Sequence, residues 1–172
     1  MQPLFCELVP RPLWGVNLRK YLTTAEWKDC QTVSRLAGPG CQECGDMDSV
    51  LHCHERWTIE RDLVSKTARQ RLSMLVAICA DCHAIHHFGR TGQVASAIQI
   101  SELKAHWCRT NKITLNEIET HLHDAGRQWK SDSTFTWQID MSPIFDMGVA
   151  LTPTTVSNIK ELATTKWETL AH

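Results

Sequence analysis

Two Cys-x-x-Cys pairs constrain this chain more than any other feature: Cys41-Gln-Glu-Cys44 and Cys79-Ala-Asp-Cys82. Each pair offers two sulfurs from one tight turn, and four thiolates so arranged suit a single tetrahedral zinc ion. The competing use of eight cysteines is a disulfide framework. The start Met1-Gln2-Pro3-Leu4-Phe5 has no basic segment leading into an apolar stretch, so it does not read as a secretory signal. No apolar run reaches the length of a membrane span. The expected location is therefore the cytoplasm, where thiols stay reduced and paired cysteines read as metal ligands. Cys6, Cys30, Cys53 and Cys108 sit among apolar residues and read as small buried hydrophobes.

A chain of 172 residues reads as one domain with decorations. It is long enough to bury a core, so zinc would organise the fold without being its sole support. Thr23 with Glu26 forms a capping box that opens a helix, with Trp27, Cys30, Ser34 and Ala37 on one stripe. Gly38-Pro39-Gly40 ends that helix, and Cys44-Gly45 is the turn of a zinc knuckle. Val50 to His54 reads as a short strand, with Val50, His52 and His54 on one face and Leu51 and Cys53 on the other. Residues 59–70 are polar and basic and read as a loop or short helix. Leu72 to Ile78 reads as a buried strand and Cys82 to Phe88 as a helix. Further helices are expected over about 94–111 and from the Thr114/Glu117 capping box, where Leu115, Ile118, Leu122, Ala125 and Trp129 form a stripe. Phe135 to Ile139 alternates as a strand, and a last helix is expected near 157–170, with Ile159, Leu162, Ala163, Lys166 and Leu170 on one side.

The expected fold class is α+β. A zinc-stapled treble-clef ββα core spans 41–92, behind an arm and helix over 1–40. A helical pair and closing strand follow over 93–150, and a tail helix over 151–172.

In such a layout zinc clamps the strand end against the helix face. On the helix His83 and His87 are four apart and share a side. Together with His54 they can hold a divalent ion that keeps positions open for water and phosphate. The competing reading is that these histidines cap or pack. His86 reads as a packing residue, while His52 stands between a ligand and a solvated edge residue. Glu55 is a candidate proton acceptor; it can equally pair with Arg56 or Arg61, or orient a ligating histidine. Arg56, Arg61, Lys66, Arg69 and Arg71 either contact phosphate or form a solvated face. The net charge of -1 counts against a wide basic coat for nucleic acid and leaves room for a local patch.

These motifs together resemble the HNH (ββα-metal) nuclease superfamily: CxxC, a strand ending in histidine, a second strand, then C-x-x-C-H-x-x-x-H on a helix. The likeness is to a bacterial subfamily of HNH endonucleases. It is carried by Trp14-Gly15-Val16-Asn17-Leu18-Arg19, Trp27, Cys41 to Gly45, His54-Glu55-Arg56-Trp57, Gln70-Arg71-Leu72, Ile78 to His83, His87-Phe88-Gly89 and Trp137 to Asp140. It covers roughly residues 10–141. The resemblance implies hydrolysis of DNA phosphodiesters with one catalytic ion, Mg²⁺ or another divalent metal, and puts His54, His83 and His87 on the metal-holding positions. The chain departs from the commonest pattern twice. Glu55 stands where the family has a second histidine as base, and Met74-Leu75 where it has an asparagine to orient that base. The rival reading is a non-catalytic zinc module that binds nucleic acid or a protein, using Trp14, Trp57 and Trp167 as contacts and the tail helix for docking or self-association.

Overall fold

The structure is a computed structural model that describes residues 3–168. It is a mixed α+β fold built on one long hairpin. Strand β1 (His52–Asp62) pairs antiparallel with β2 (Thr67–Ile78), and a short β3 (Thr136–Asp140) adds parallel to β2. Among the described residues six α-helices surround the sheet: α1 (Thr24–Ser34), α2 (Ala80–His86), α3 (Phe88–Val94), α4 (Ala97–Asn111), α5 (Leu115–Asp132) and α6 (Pro153–Leu162). Among the described residues no helix is long and apolar enough to cross a membrane.

Local signals placed most of these elements. Thr23 and Glu26 form the reciprocal capping box of α1, and Thr114 and Glu117 that of α5. The helix expected over about 94–111 is α4, and a separate short helix, α3, precedes it where none was expected. The chain breaks at Ala95, and Ser96 starts α4 with its own capping box to Gln99. The tail helix lies earlier than expected. Thr152 caps it, Pro153 occupies its first turn, where a missing N–H costs nothing, and it ends at Leu162. Lys166 is beyond it, and Leu170 falls outside the described residues. Ile159 and Leu162 of α6 are buried in the chain's own core.

The hairpin is longer than its composition suggests. Residues 59–70, expected as a loop or short helix, continue both strands to a turn over 63–66. Asp62 Oδ1 accepts the Val64 and Ser65 amides at 2.9 and 3.2 Å, and Lys66 takes a positive φ of 50°. What holds these polar strands is remote in sequence: β3 alongside, Arg61 on Asp132, and Arg69 and Arg71 on Asp140. Val50, by contrast, lies outside the strand and is 80% exposed.

A register shift at Arg56/Trp57 leaves Ser73 without a strand partner, and its hydroxyl donates to Arg56 O at 2.9 Å. Leu72 and Leu75, three apart, therefore both reach one core, with Leu18, Cys30, Cys53, Trp137 and Ile159. Val76 and Ile78 reach a second core with Leu4, Cys79, Cys82, Ile85, Trp107 and Ile118. Cys6, Cys30 and Cys53 are buried as expected, and Cys108 is half-buried. The second core carries the candidate site.

Candidate metal centre

Cys41 and Cys44 lie on a loop turned by Gly45, whose φ of +79° suits a residue without a side chain. Its amide donates to Cys41 O at 2.8 Å, and Cys41 N donates to Asp46 O at 2.7 Å. Cys79 is the N-cap of α2, and Cys82 sits in its first turn. The four sulfurs all lie within 4.8 Å of one another, with Cys44 Sγ and Cys79 Sγ 3.8 Å apart. A tetrahedron with Zn–S bonds of about 2.3 Å has edges of about 3.8 Å, so the donor set and its spacing fit zinc. The Cys79 amide donates to Cys41 Sγ at 3.2 Å, and His106 Nε2 lies 3.2 Å from Cys82 Sγ. The Cys82 thiol bonded to it holds Cys41 down at about 5 against the cost of burial, with the Cys44 and Cys79 amides helping. Cys82, the donor of that bond, is pushed up correspondingly. A bound cation favours thiolate at all four.

The helix that begins on Cys79 carries His83 and His86 and is capped by His87. The strand that leaves the knuckle carries His52 and His54. His54, His83 and His87 converge: their ring centroids are 5.3, 5.1 and 4.7 Å apart, with planes between 75° and 88° to one another. Each offers a ligating atom within 4.8 Å of the other two. His54 is 2% exposed, and neither of its ring nitrogens has a hydrogen-bond partner among the described residues. A buried imidazole left unpartnered costs about 1–3 kcal/mol, which an ion on its lone pair would offset. Burial first, and then the neighbouring imidazoles, hold His54 at about 2 and His83 at about 4, so both rings are neutral at pH 7. His83 and His87 are half-buried, so the triad keeps an open side. His52 stacks on His83 at 5.4 Å from the solvent edge.

His86, expected to pack, is fully buried and stacks on His54 at 4.6 Å. Its surroundings are what the sequence did not reveal. Glu7 Oε1 lies 3.6 Å from its Nδ1 and Glu43 Oε1 3.5 Å from its Nε2. Glu7 Oε2 also lies 3.8 Å from His54 Nε2, so Glu7, His54 and His86 form a second group of potential ligands. Burial lifts the Glu7 carboxyl to about 7; Arg56 opposes the rise and Glu55 adds to it. Glu43 is one of the two residues inside the first Cys-x-x-Cys, a hint available from sequence. Nothing in the spacing of Glu7 points to the site.

Glu55 alternates to the other face of β1 from His54, where its Oε1 accepts the Leu18 amide at 3.2 Å. It nevertheless lines the same cleft of about 250 Å³ as His54 and His87, along with Glu7, Trp57 and Gln128. Burial lifts its carboxyl, against the pull of its own and the Leu18 amides.

The basic residues separate into three situations. Arg56, read as a phosphate contact or part of a solvated face, is corrected on both counts: alternation turns it inward on the face of His54. There it is 6% exposed, ion-paired with Glu43 and over the Phe5 ring at 5.3 Å. Arg61 makes a bidentate pair with Asp132 at 2.9 and 2.8 Å. Arg69 and Arg71 share Asp140 at 2.6 and 3.2 Å but remain half-exposed, and Lys66 is exposed at the hairpin turn. Of the tryptophans considered as contacts, Trp14 is exposed and stacks on Trp129, Trp57 lines the cleft, and Trp167 pairs with Trp137 along the outer edge of β3. No protein family, curated protein or solved structure matches this chain.

Proposed function

We propose that this protein is a metal-dependent endonuclease of the HNH, treble-clef ββα-metal type, hydrolysing DNA phosphodiester bonds. The observation that carries the reading is the convergence of His54, His83 and His87, from a strand and a helix joined at the four-cysteine cluster, with an open side toward solvent. A divalent ion such as Mg²⁺ held there would supply charge to neutralise the scissile phosphate and stabilise the leaving oxygen. His54, His83 and His87 would hold the ion through neutral ring nitrogens. Glu55, which lines the same cleft and whose carboxyl burial lifts above the ordinary range, takes the proton of the attacking water. It stands in for the histidine base of the commoner pattern. Leu75, its partner across the hairpin, offers no side-chain hydrogen bond to orient it, so the Leu18 amide does that instead.

Lys66, Arg69 and Arg71, at the exposed end of the hairpin, are the proposed phosphate contacts. Arg56 is left out because its charge is committed to Glu43. One observation favours a non-catalytic binding module: Arg56, Arg61, Arg69 and Arg71 all pair within the chain. A supercoiled-plasmid assay in Mg²⁺, Mn²⁺ and Ni²⁺ separates the two readings. The nuclease nicks, and His83→Ala abolishes nicking while zinc stays near one per chain. Nicking that survives both His83→Ala and His54→Ala refutes the assignment, and a gel shift without nicking in any metal supports the binding module.

A further inference from the structure

The N-terminal arm is tied down at several points next to the histidines. Leu4 N donates to Asn111 Oδ1 at 2.9 Å, and Trp107 Nε1 donates to Leu4 O at 2.8 Å. Cys6 N donates to His121 Nε2 at 3.2 Å, and Glu7 N donates to His86 O at 2.8 Å. A side chain at Gly89 would meet Leu8 Cδ2 at 2.6 Å, so the arm lies close against the start of α3. Glu7 is therefore held at the site by main-chain bonds at Leu4 and Cys6 before it, by its own, and by Val9 O after it, which accepts from Trp129 Nε1 at 2.9 Å.

Its carboxylate straddles two buried rings. Oε2 faces His54 Nε2 at 3.8 Å, and Oε1 faces His86 Nδ1 at 3.6 Å. All four nitrogens of His54 and His86 are buried and lack a hydrogen-bond partner among the described residues. A neutral imidazole carries one N–H and one lone pair, and each needs a partner. The contacts to Glu7 exceed hydrogen-bond length, and a shift of about 1 Å brings them into the usual range. His86 has a carboxylate oxygen opposite each nitrogen, Glu7 on one side and Glu43 on the other. That makes it a poor lone-pair donor and a good spacer. His54 differs: only its Nε2 edge faces a carboxylate, and the rings of His83 and His87 stand edge-on to it.

We infer that Glu7 is a positioning residue for the metal centre. Its carboxylate accepts the Nε2–H of His54, fixes that tautomer and leaves Nδ1 as the lone pair offered to the ion beside His83 and His87. This carboxylate–histidine–metal arrangement sets ring orientation and raises ligand basicity. His86, clamped by Glu43 and so by Arg56, buttresses both groups from beneath. The inference rests on the reading of His54, His83 and His87 as an ion site and is independent of whether DNA is cut.

The test titrates Mn²⁺ into the zinc-loaded full chain, followed by loss of the free-ion EPR signal. Wild type is expected to bind one Mn²⁺. Glu7→Gln is expected to weaken it by about 10–100-fold with the stoichiometry unchanged, the usual effect of losing such a partner, and Glu7→Asp to recover part of the loss. Affinity for Glu7→Gln within twofold of wild type overturns the inference. So does a wild type that binds two Mn²⁺, one of which Glu7→Gln abolishes, because Glu7, His54 and His86 are then a separate seat. Should Glu7→Gln fail to fold, long-range ¹H–¹⁵N NMR on the wild type decides: an Nε2–H tautomer at His54 supports the inference and an Nδ1–H tautomer refutes it. Wild type that binds Mn²⁺ without nicking plasmid removes the nuclease reading and leaves this assignment standing. Wild type that binds no Mn²⁺ refutes both.

Discussion

Glu26 gives the sharpest quantitative test of the fold that carries the site. It is 2% exposed, yet its carboxylate accepts three hydrogen bonds. Two come from the Thr23 amide at 2.6 Å and the Thr152 amide at 2.7 Å, and the third from the Thr155 hydroxyl at 3.0 Å. One side chain thus joins the start of α1 to the start of α6, more than a hundred residues away. Burial alone would raise its pKa; the hydrogen bonds outweigh burial and bring it from 4.5 to about 2. At about 1.4 kcal/mol per pH unit, that gap is worth about 3 kcal/mol of stability. The sign follows from linkage. A carboxyl whose pKa is depressed on folding contributes fully above its unfolded value, and the contribution is lost as pH falls through the folded value. Urea denaturation followed by tryptophan fluorescence should show Glu26→Gln less stable than wild type by about 3 kcal/mol at pH 6, with about half of that difference left at pH 3. Loss of zinc in acid affects both proteins alike and cancels in the difference. A difference that stays flat from pH 6 to pH 3 would refute the reasoning.

Three further outcomes are expected. Cys44→Ser, with three sulfurs left, should bring bound zinc from near one per chain toward zero by elemental analysis and lower the urea midpoint, since binding of a structural zinc contributes directly to folding free energy. Arg56→Ala should destabilise the protein by about 3–5 kcal/mol in denaturant titrations by stranding Glu43, while Arg56→Met with Glu43→Leu stays much closer to wild type. Lys66→Ala should leave stability within about 0.5 kcal/mol of wild type yet reduce the salt slope of DNA binding by about 0.9, read from duplex titrations at several salt concentrations.

Local chemistry made some of the fold legible before any coordinates. Capping boxes act within one turn, so Thr23/Glu26 and Thr114/Glu117 announced α1 and α5. The candidate histidines were legible from spacing: His83 and His87 are four apart on a segment whose start is fixed by Cys79, and His52 and His54 alternate on the strand after the knuckle. Residues 59–70 were not legible. They show no sustained apolar–polar alternation, and what makes them strands is β3 and the carboxylates of Asp132 and Asp140, about seventy residues on.

What the sequence determined alone is the inventory of candidate ligands: four cysteines in two pairs and three histidines at short, directional spacings, because such spacings constrain geometry within a turn or a strand. The tertiary structure decided which charges face that inventory. Arg56 lost its place among surface cations because strand alternation turned it onto Glu43. Glu7 gained a place beside His54 because the arm docks through contacts with Asn111, His121 and His86. The contacts of the arm with Asn111 and His121 join segments more than a hundred residues apart, and no local period records them; only the packing of the second core brings them within reach.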